Sequence, residues 1–457
     1  MKTSKRFLLL FFIINLLCNQ IFTSTATASA TENSSVTSPK PPYVNAESAV
    51  LMDLSSGAIL YEKNAHKAQY PASITKIMTT LLALENCSMG EMVTFSHDAV
   101  FGIEPGSSHI GVDEGEKLTV EQSLYAIMLA SANEVSWGVG EHIAGTLSAF
   151  ADMMNARAKE LGCQNTHFVN ANGLHHDDHY TTAYDMALIS REAMKYSRFR
   201  TITSTKTYTI PPTNKHDINN AFANHHQMLM GNKQPHYKYE YCIGGKTGYT
   251  NKAGSTLVTF AKKGDVELVC VVMRANGPTS PENEYTDTIG LFDWAFENFT
   301  QHNINAATEE LEDSELAFFD KYNPIFNEEK SPVYLTSSTV LLPNGVALEE
   351  AVRTVEIYSK PVSSNNETEM VVGTISYTYN EKIAGTADII YRGTNIAELA
   401  SAAPMKEIET DSIRAMERYN LKPYIIAGIF IIIIGSIIAY FYFSNPRKRR
   451  KRYNLRF

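Results

Sequence analysis

The stretch Tyr70-Pro71-Ala72-Ser73-Ile74-Thr75-Lys76-Ile77-Met78-Thr79-Thr80-Leu81-Leu82 carries the pattern from which the rest of the chain can be read. Pro71 and Ala72 lead into a helix. Its apolar residues Ile74, Ile77, Met78, Leu81, Leu82 and Leu84 cover more than one face, which predicts a helix buried inside a domain rather than lying on it. Ser73 and Lys76 stand three apart at its start. On a helix that spacing puts their Cβ atoms about 5 to 6 Å apart on one side, so hydroxyl and amine can meet. The helix N-terminus adds positive potential and free N–H groups, which favour negative charge developing at Ser73.

Two further triplets follow in order, Ser131-Ala132-Asn133 and Lys246-Thr247-Gly248. Together the three supply an activatable hydroxyl, a lysine base, a second hydroxyl and a cationic strand edge. These are the parts required for acyl transfer to a serine from a substrate that ends in a carboxylate. Each triplet alone is common by chance, so order and context carry the weight.

The context is a mixed one. Residues 49–54 and 58–62 predict a hairpin turning at Ser55-Ser56-Gly57, and a helix from Val120 to Leu129 precedes the second triplet, with another running on through Ile143. Ile243 to Thr247 predicts a strand, residues 254–262 and 266–273 a hairpin around Lys263-Gly264-Asp265, and Thr286 to Phe299 a closing helix. Strands at both ends with helices between them give an α/β (α+β) domain on an antiparallel sheet with a helical cluster. From 301 to 403 the pattern becomes short alternating strands, among them 333–335, 355–358, 370–379 and 387–391, which predicts a small all-β domain.

The ends set the location. Lys2, Lys5 and Arg6, the apolar run from Phe7 to Leu17 and Ala28-Ser29-Ala30 predict a signal peptide over 1–30, followed by a Ser/Thr/Pro-rich lead-in over 31–43. The uncharged run from Tyr424 to Phe443 is long enough, at about 1.5 Å per residue, to cross a hydrocarbon core of about 30 Å. A charged linker over 404–423 precedes it. The tail over 444–457 carries Arg447, Lys448, Arg449, Arg450, Lys451 and Arg452, which belong on the cytoplasmic side. The expectation is a single-pass membrane protein with its catalytic domain, over 44–300, outside the cytoplasm and its C-terminus inside. The formal net charge of −9 divides between a basic tail and a more acidic exported part, and nothing in it suggests a nucleic-acid partner. Of five cysteines, Cys87, Cys163, Cys242 and Cys270 lie beyond the leader, widely spaced and without a Cys-x-x-Cys pair, so free and mostly buried thiols are expected.

With the triplets placed, the chain resembles the serine-type D-alanyl-D-alanine carboxypeptidases, the low-molecular-mass penicillin-binding proteins. The likeness includes Tyr70 to Lys76, Ser131-Ala132-Asn133-Glu134, Glu141-His142-Ile143-Ala144-Gly145, Thr166-His167-Phe168-Val169-Asn170, Asn172-Gly173-Leu174, Thr182-Ala183-Tyr184-Asp185 and Lys246-Thr247-Gly248-Tyr249-Thr250. It extends over residues 44 to 300 and more loosely over the β domain. The resemblance implies a transpeptidase/β-lactamase-like fold and peptidoglycan stem peptides ending in D-Ala-D-Ala as substrate, with β-lactams as inhibitors and no metal or other cofactor. It implies Ser73 as the acyl-ester nucleophile, Lys76 as proton acceptor and Ser131 as proton relay. Asn133 would position Lys76 and the substrate amide, Lys246, Thr247 and Gly248 would form the carboxylate-binding strand, and the backbone N–H groups of Ser73 and Tyr249 the oxyanion hole. For Lys76 to act as a base its pKa must fall, through burial and the nearby cation of Lys246.

Two departures from the family pattern stand out. The family arginine ahead of the closing helix is replaced by Asn283-Glu284-Tyr285, leaving Arg274 as the nearest arginine, and the uncharged C-terminal run spans where relatives use an amphipathic surface helix. Competing functions are a D,D-endopeptidase on cross-links, a β-lactamase, and a non-catalytic wall-binding protein. The β-lactamase reading requires a deacylating glutamate after the second triplet, and Gly162 to His175 contains none. The cluster His175, His176, Asp177, Asp178 and His179 offers zinc-ligand types, but adjacent loop residues seldom converge on one ion, and His225-His226 is weaker still. Cys242, beside Lys246, is expected as a packed thiol.

Overall fold

The computed structural model describes residues 39–275, 283–304, 333–363 (the backbone alone over 359–363) and 369–392. The predicted first hairpin is β1 (Ser48–Asp53) with β2 (Ile59–Lys63). A 3₁₀ turn, Ala72–Thr75, leads into α1 (Lys76–Asn86). Then come β3 (Met92–Thr94), α2 (His97–Phe101), β4 (Lys117–Thr119), α3 (Val120–Leu129), α4 (Asn133–Ala144) and α5 (Leu147–Glu160). The middle of the chain holds α6 (Ala183–Ala193), α7 (Ser197–Ser204), β5 (Thr207–Ile210), β6 (Asn220–Ala223) and α8 (Gln227–Met230). The strand carrying Lys246-Thr247-Gly248 is β7 (Cys242–Thr250), paired to β8 (Gly254–Lys263), which pairs to β9 (Val266–Ala275). α9 (Asn283–Asn298) runs directly into β10 (Phe299–Ile304).

One antiparallel sheet in the order β2-β1-β9-β8-β7 organises this part. β1 and β9 pair from Ser48↔Met273 to Asp53↔Leu268, which brings the start of the domain onto its last hairpin and leaves β7 at an edge. Every residue of β1 is buried, as is the central run of β8 and β9, because helices cover both faces. One face shares a core with Ile74 of the 3₁₀ turn, Ile77, Met78 and Leu81 of α1, Leu124 of α3, Val135 of α4 and Met186 of α6, with α6 packed directly on β1 and β9, and the other meets α9 through Leu291, Phe292 and Ala295. The multi-sided apolar pattern of α1 is thereby explained: Ile77 and Leu81 are fully enclosed, and truncating either to alanine costs about 2–5 kcal/mol. Helix starts follow local chemistry. Thr119 and Gln122 form a reciprocal capping box at α3, and Ser96, Thr146 and Thr182 cap α2, α5 and α6.

Beyond β10 the described elements are β11 (Val333–Leu335), β12 (Ser338–Pro343), a 3₁₀ turn at Leu348–Glu350, β13 (Val352–Ser363), β14 (Glu369–Tyr379) and β15 (Lys382–Arg392). β10 pairs with β12, and the other four form a sheet in the order β11-β15-β14-β13. β10 and β12 were not anticipated: β12 is buried throughout and lacks the alternation that marks a half-exposed strand. The described chain divides into two compact units. The first holds residues up to Glu356 together with Gly373–Tyr391, and the second holds 357–363, 369–372 and Arg392. Within the first, Thr339 Oγ1 donates to Asp53 Oδ2 at 3.2 Å and Thr386 Oγ1 to Ser56 O at 3.1 Å, so β-rich segments after residue 300 touch the first hairpin.

Among the described residues no helix is long and apolar enough to cross a membrane. The expected signal peptide, juxtamembrane linker, span over 424–443 and basic tail lie outside the described residues. Cys87, Cys163, Cys242 and Cys270 are free, the last two buried and the first two partly so.

Candidate active site

Ser73 lies in the 3₁₀ turn rather than on α1 proper, and the cap of that turn is Pro71, so the serine has no capping duty. The turn is held in an uncommon shape. Ala72 has φ +51°, a left-handed conformation that costs a non-glycine residue of order 1–3 kcal/mol and persists only where neighbours enforce it. Two neighbours do so: Thr256 Oγ1 donates to Pro71 O at 2.8 Å, and Gly173 packs so closely that a Cβ there would stand 1.9 Å from Ala72 O.

Lys76 begins α1 and is wholly buried. Its Nζ lies 2.6 Å from Asn133 Oδ1, 2.6 Å from Asn172 O and 3.0 Å from Ser73 Oγ. The two carbonyl oxygens can only accept. A neutral amine has two N–H donors and one lone pair, so the carbonyls consume both donors and the lone pair is left facing the Ser73 hydroxyl. The electrostatics agree. Burial drives Lys76 well below the ordinary ammonium range, the cation of Lys246 acts in the same direction, and only the Glu134 carboxylate opposes them. Glu134 is itself buried, its Oε1 held by the N–H groups of Ile110 (2.7 Å) and Gly111 (3.2 Å).

Ser131 is the second strained residue, with φ +61°, between the end of α3 and the start of α4. Lys246, on β7 and almost completely buried, places Nζ 3.1 Å from Ser131 Oγ and 2.7 Å from Thr247 O. Burial lowers its pKa to about 7. Gly248 is required where β7 passes the Ser73 turn, because a Cβ there would lie 2.8 Å from Ser73 N, 3.1 Å from Ile74 N and 2.4 Å from Thr256 Oγ1. The three triplets, spread over some 170 residues, thus surround one cavity of about 430 Å³ walled in part by Ser73, Ser131, Asn133, Thr247, Gly248 and Tyr249.

Other groups join the site without having been expected there. Asn172 offers its backbone carbonyl to Lys76, a contact that no side-chain pattern announces. His225 and Tyr285 line the wall. The His225 imidazole is lowered to about 4 by burial and by the cations of Lys246 and Lys233. Arg274 is not on this wall: its guanidinium pairs with Glu47 Oε2 at 2.9 Å, and it borders separate cavities beside Lys252. The histidine-rich loop is divided by the fold. His179 is buried and accepts from Val169 N at Nδ1 (3.0 Å), so its Nε2–H donates to Thr75 Oγ1 (2.9 Å), bracing the Ser73 turn as a neutral imidazole. His226 is likewise enclosed, 2.9 Å from Thr259 Oγ1. Burial lowers both to about 3.

The family described as D-alanyl-D-alanine carboxypeptidase matches residues 35–277. The D-alanyl-D-alanine carboxypeptidase DacF of Bacillus subtilis is 35% identical over 56% of this chain and 64% of its own length, somewhat under two thirds of that relative. DacA of Escherichia coli is 28% identical over 75% of this chain and 82% of its own. Penicillin binding protein 5 of Haemophilus influenzae has a similar structure, with a TM-score of 0.60, 26% identity, and coverage of 78% of this chain and 98% of that one. A Streptomyces DD-transpeptidase aligns over its full length, 57% of this chain, with a TM-score of 0.52 and 27% identity. The match over more than half of the sequence, centred on the lysine, serine and strand geometry above, shows that this chain belongs to the D-alanyl-D-alanine carboxypeptidase family.

Proposed function

We propose that the protein is a penicillin-binding serine D-alanyl-D-alanine carboxypeptidase that removes the terminal D-alanine from peptidoglycan stem peptides. The observation that carries this reading is the approach of buried Lys76 Nζ to Ser73 Oγ at 3.0 Å while Asn133 Oδ1 and Asn172 O take its N–H donors. Lys76 takes the hydroxyl proton as Oγ bonds to the carbonyl carbon between the two D-alanines. The carbonyl oxygen becomes an oxyanion facing the N–H groups of Ser73 and Tyr249, a pair of donors of the kind worth about 3–4 kcal/mol each. The C–N bond then breaks. The proton passes through Ser131 to the departing amine, leaving D-alanine and an acyl ester on Ser73, and water releases the shortened peptide.

The cationic form of Lys246 and the hydroxyl of Thr247 hold the terminal carboxylate, and His225 adds an N–H in place of the family arginine. β-Lactams acylate the same serine. With no glutamate between Gly162 and His175, their acyl ester is released slowly. The signal peptide, the span over 424–443 and the basic tail support an extracytoplasmic catalytic domain tethered to the membrane.

Mass spectrometry of the penicillin-treated protein tests the assignment: the adduct belongs on the peptide containing Ser73 and disappears in Ser73→Ala. An adduct elsewhere, or equal labelling of Ser73→Ala, refutes it. On defined muropeptides, loss of a single D-alanine is the expected product, and cleavage of cross-linked dimers in its place would make the enzyme an endopeptidase.

A further inference from the structure

α1 and α4 both start at the catalytic cavity, where Lys76 Nζ meets Asn133 Oδ1, and a second cluster lies at their opposite ends. Cys87 terminates α1, Glu91 follows in the turn before β3, and His142 is in the last turn of α4. The Cys87 sulfur, a Glu91 carboxylate oxygen and a His142 ring nitrogen all lie within 4.8 Å of one another. The Glu91 Oε2 to His142 Nε2 distance is 3.3 Å. Around one tetrahedral zinc with bonds of about 2.0–2.3 Å, neighbouring ligand atoms stand roughly 3.3–3.6 Å apart. The oxygen and nitrogen already meet that separation, and the sulfur reaches it by a side-chain movement of about 1 Å.

We propose that Cys87, Glu91 and His142 form a three-ligand site for a zinc-class divalent cation, with water in the fourth position, that ties the far ends of α1 and α4 together. A mixed sulfur, nitrogen and oxygen set selects zinc or a similar transition metal over calcium and magnesium, which take oxygen ligands. The ligands are also held from behind. Ser88 N–H donates to Glu91 Oε1, which leaves Oε2 turned to His142, and Glu91 O accepts from Val120 N at 2.8 Å. Glu141, next to His142, accepts from Ser96 Oγ (2.7 Å) and Trp137 Nε1 (3.0 Å), fixing the last turn of α4. Such support from outside the ligand set keeps a site in shape. At about 1.5 Å per residue, the eleven residues of α1 put the cluster roughly 16 Å from Lys76. The cation is therefore structural, and the cysteine proton is released to solvent when the thiolate binds.

The full chain, stripped with chelator and titrated with Co²⁺, is expected to develop a thiolate-to-cobalt charge-transfer band that saturates at one equivalent and is displaced by Zn²⁺. Cys87→Ser should abolish the band. His142→Ala should weaken Co²⁺ binding at least about tenfold, and both variants should retain penicillin labelling at wild-type rate, which shows that they fold. Zn²⁺ should raise the thermal midpoint of wild type and of neither variant. In unmutated protein, Zn²⁺ should slow alkylation of Cys87 more than tenfold, a measurement that needs no variant. Absence of a band in wild type, a band that persists in Cys87→Ser, or alkylation of Cys87 at the same rate with and without Zn²⁺ overturns the proposal.

Discussion

Replacing Gly248 by alanine should slow acylation about a hundredfold while leaving the protein folded. A methyl group there would stand 2.8 Å from Ser73 N and 2.4 Å from Thr256 Oγ1, whereas ordinary contact begins at 3.4 Å. Neither neighbour can yield cheaply. Thr256 is buried and its hydroxyl is committed to Pro71 O at 2.8 Å, while Ser73 N belongs to a turn already strained at Ala72. Restoring ordinary contact moves the serine N–H by about 0.6 Å relative to β7, which exceeds the roughly 0.5 Å tolerance of a catalytic constellation. Misplacement by about 1 Å costs about 10²-fold in rate, and loss of one oxyanion donor about 10²–10³-fold. Overpacking itself costs about 1–3 kcal/mol, a fall of several degrees in the thermal midpoint of a domain this size. Stopped-flow acylation by a fluorescent penicillin, run beside thermal unfolding, separates rate from stability. Gly264→Ala serves as control, since its Cβ would meet nothing within 4 Å and only the positive φ is strained. If Gly248→Ala acylates within threefold of wild type, the close passage of β7 over the nucleophile turn does not set the rate and the reasoning fails.

Further expectations concern charge. Because Lys76 acts neutral and Lys246 charged, kcat/KM on a D-Ala-D-Ala peptide should fall on the acid side as Lys76 protonates. It should fall again above the Lys246 pKa of about 7; a rate still rising at about pH 9 would contradict this assignment. His225→Ala should raise KM by about 10–100-fold, the value of one hydrogen bond to a carboxylate, about 1.5–3 kcal/mol. Arg274→Ala, paired with Glu47 away from the cavity, should leave KM within about twofold, and the reverse order would return recognition to the arginine. His179 and His226 titrate near 3 when folded against a reference of 6.5. The unfolded chain therefore binds more protons between those values, and stability falls as pH drops through that window, by up to about 1.4 kcal/mol per pH unit for each histidine. NMR should show both rings neutral at about pH 4 while the urea midpoint declines; two rings that titrate near 6.5 would contradict it.

Much of this could be read from local pattern. The triplets, the buried periodicity of α1, the extent of α3 and the hairpin of β8 and β9 follow from spacing, β-branched runs and turn residues, each of which acts over a few positions. Of the strands that escaped, β12 lacks such a signal because a strand buried on both faces does not alternate, and β10 lacks it because its middle, Thr300-Gln301-His302-Asn303, is polar and only Ile304 is buried. The same holds for Ser73, placed in a 3₁₀ turn that no periodicity distinguishes from the first turn of a helix.

What the amino-acid order determined by itself was the set of reactive groups and the elements that carry them. Which groups meet was decided by the tertiary structure. The pairing of β1 with β9 and the burial of α1 set Lys76 against Asn133 and Asn172 and within the field of Lys246, and exclusion from water lowers its pKa well below that of an ordinary lysine. It also carried His225 into the cavity, set Arg274 against Glu47, and closed His179 behind the nucleophile turn. Long-range burial and backbone acceptors leave no mark on the spacing of a sequence, so that part of the site exists only once the chain is folded.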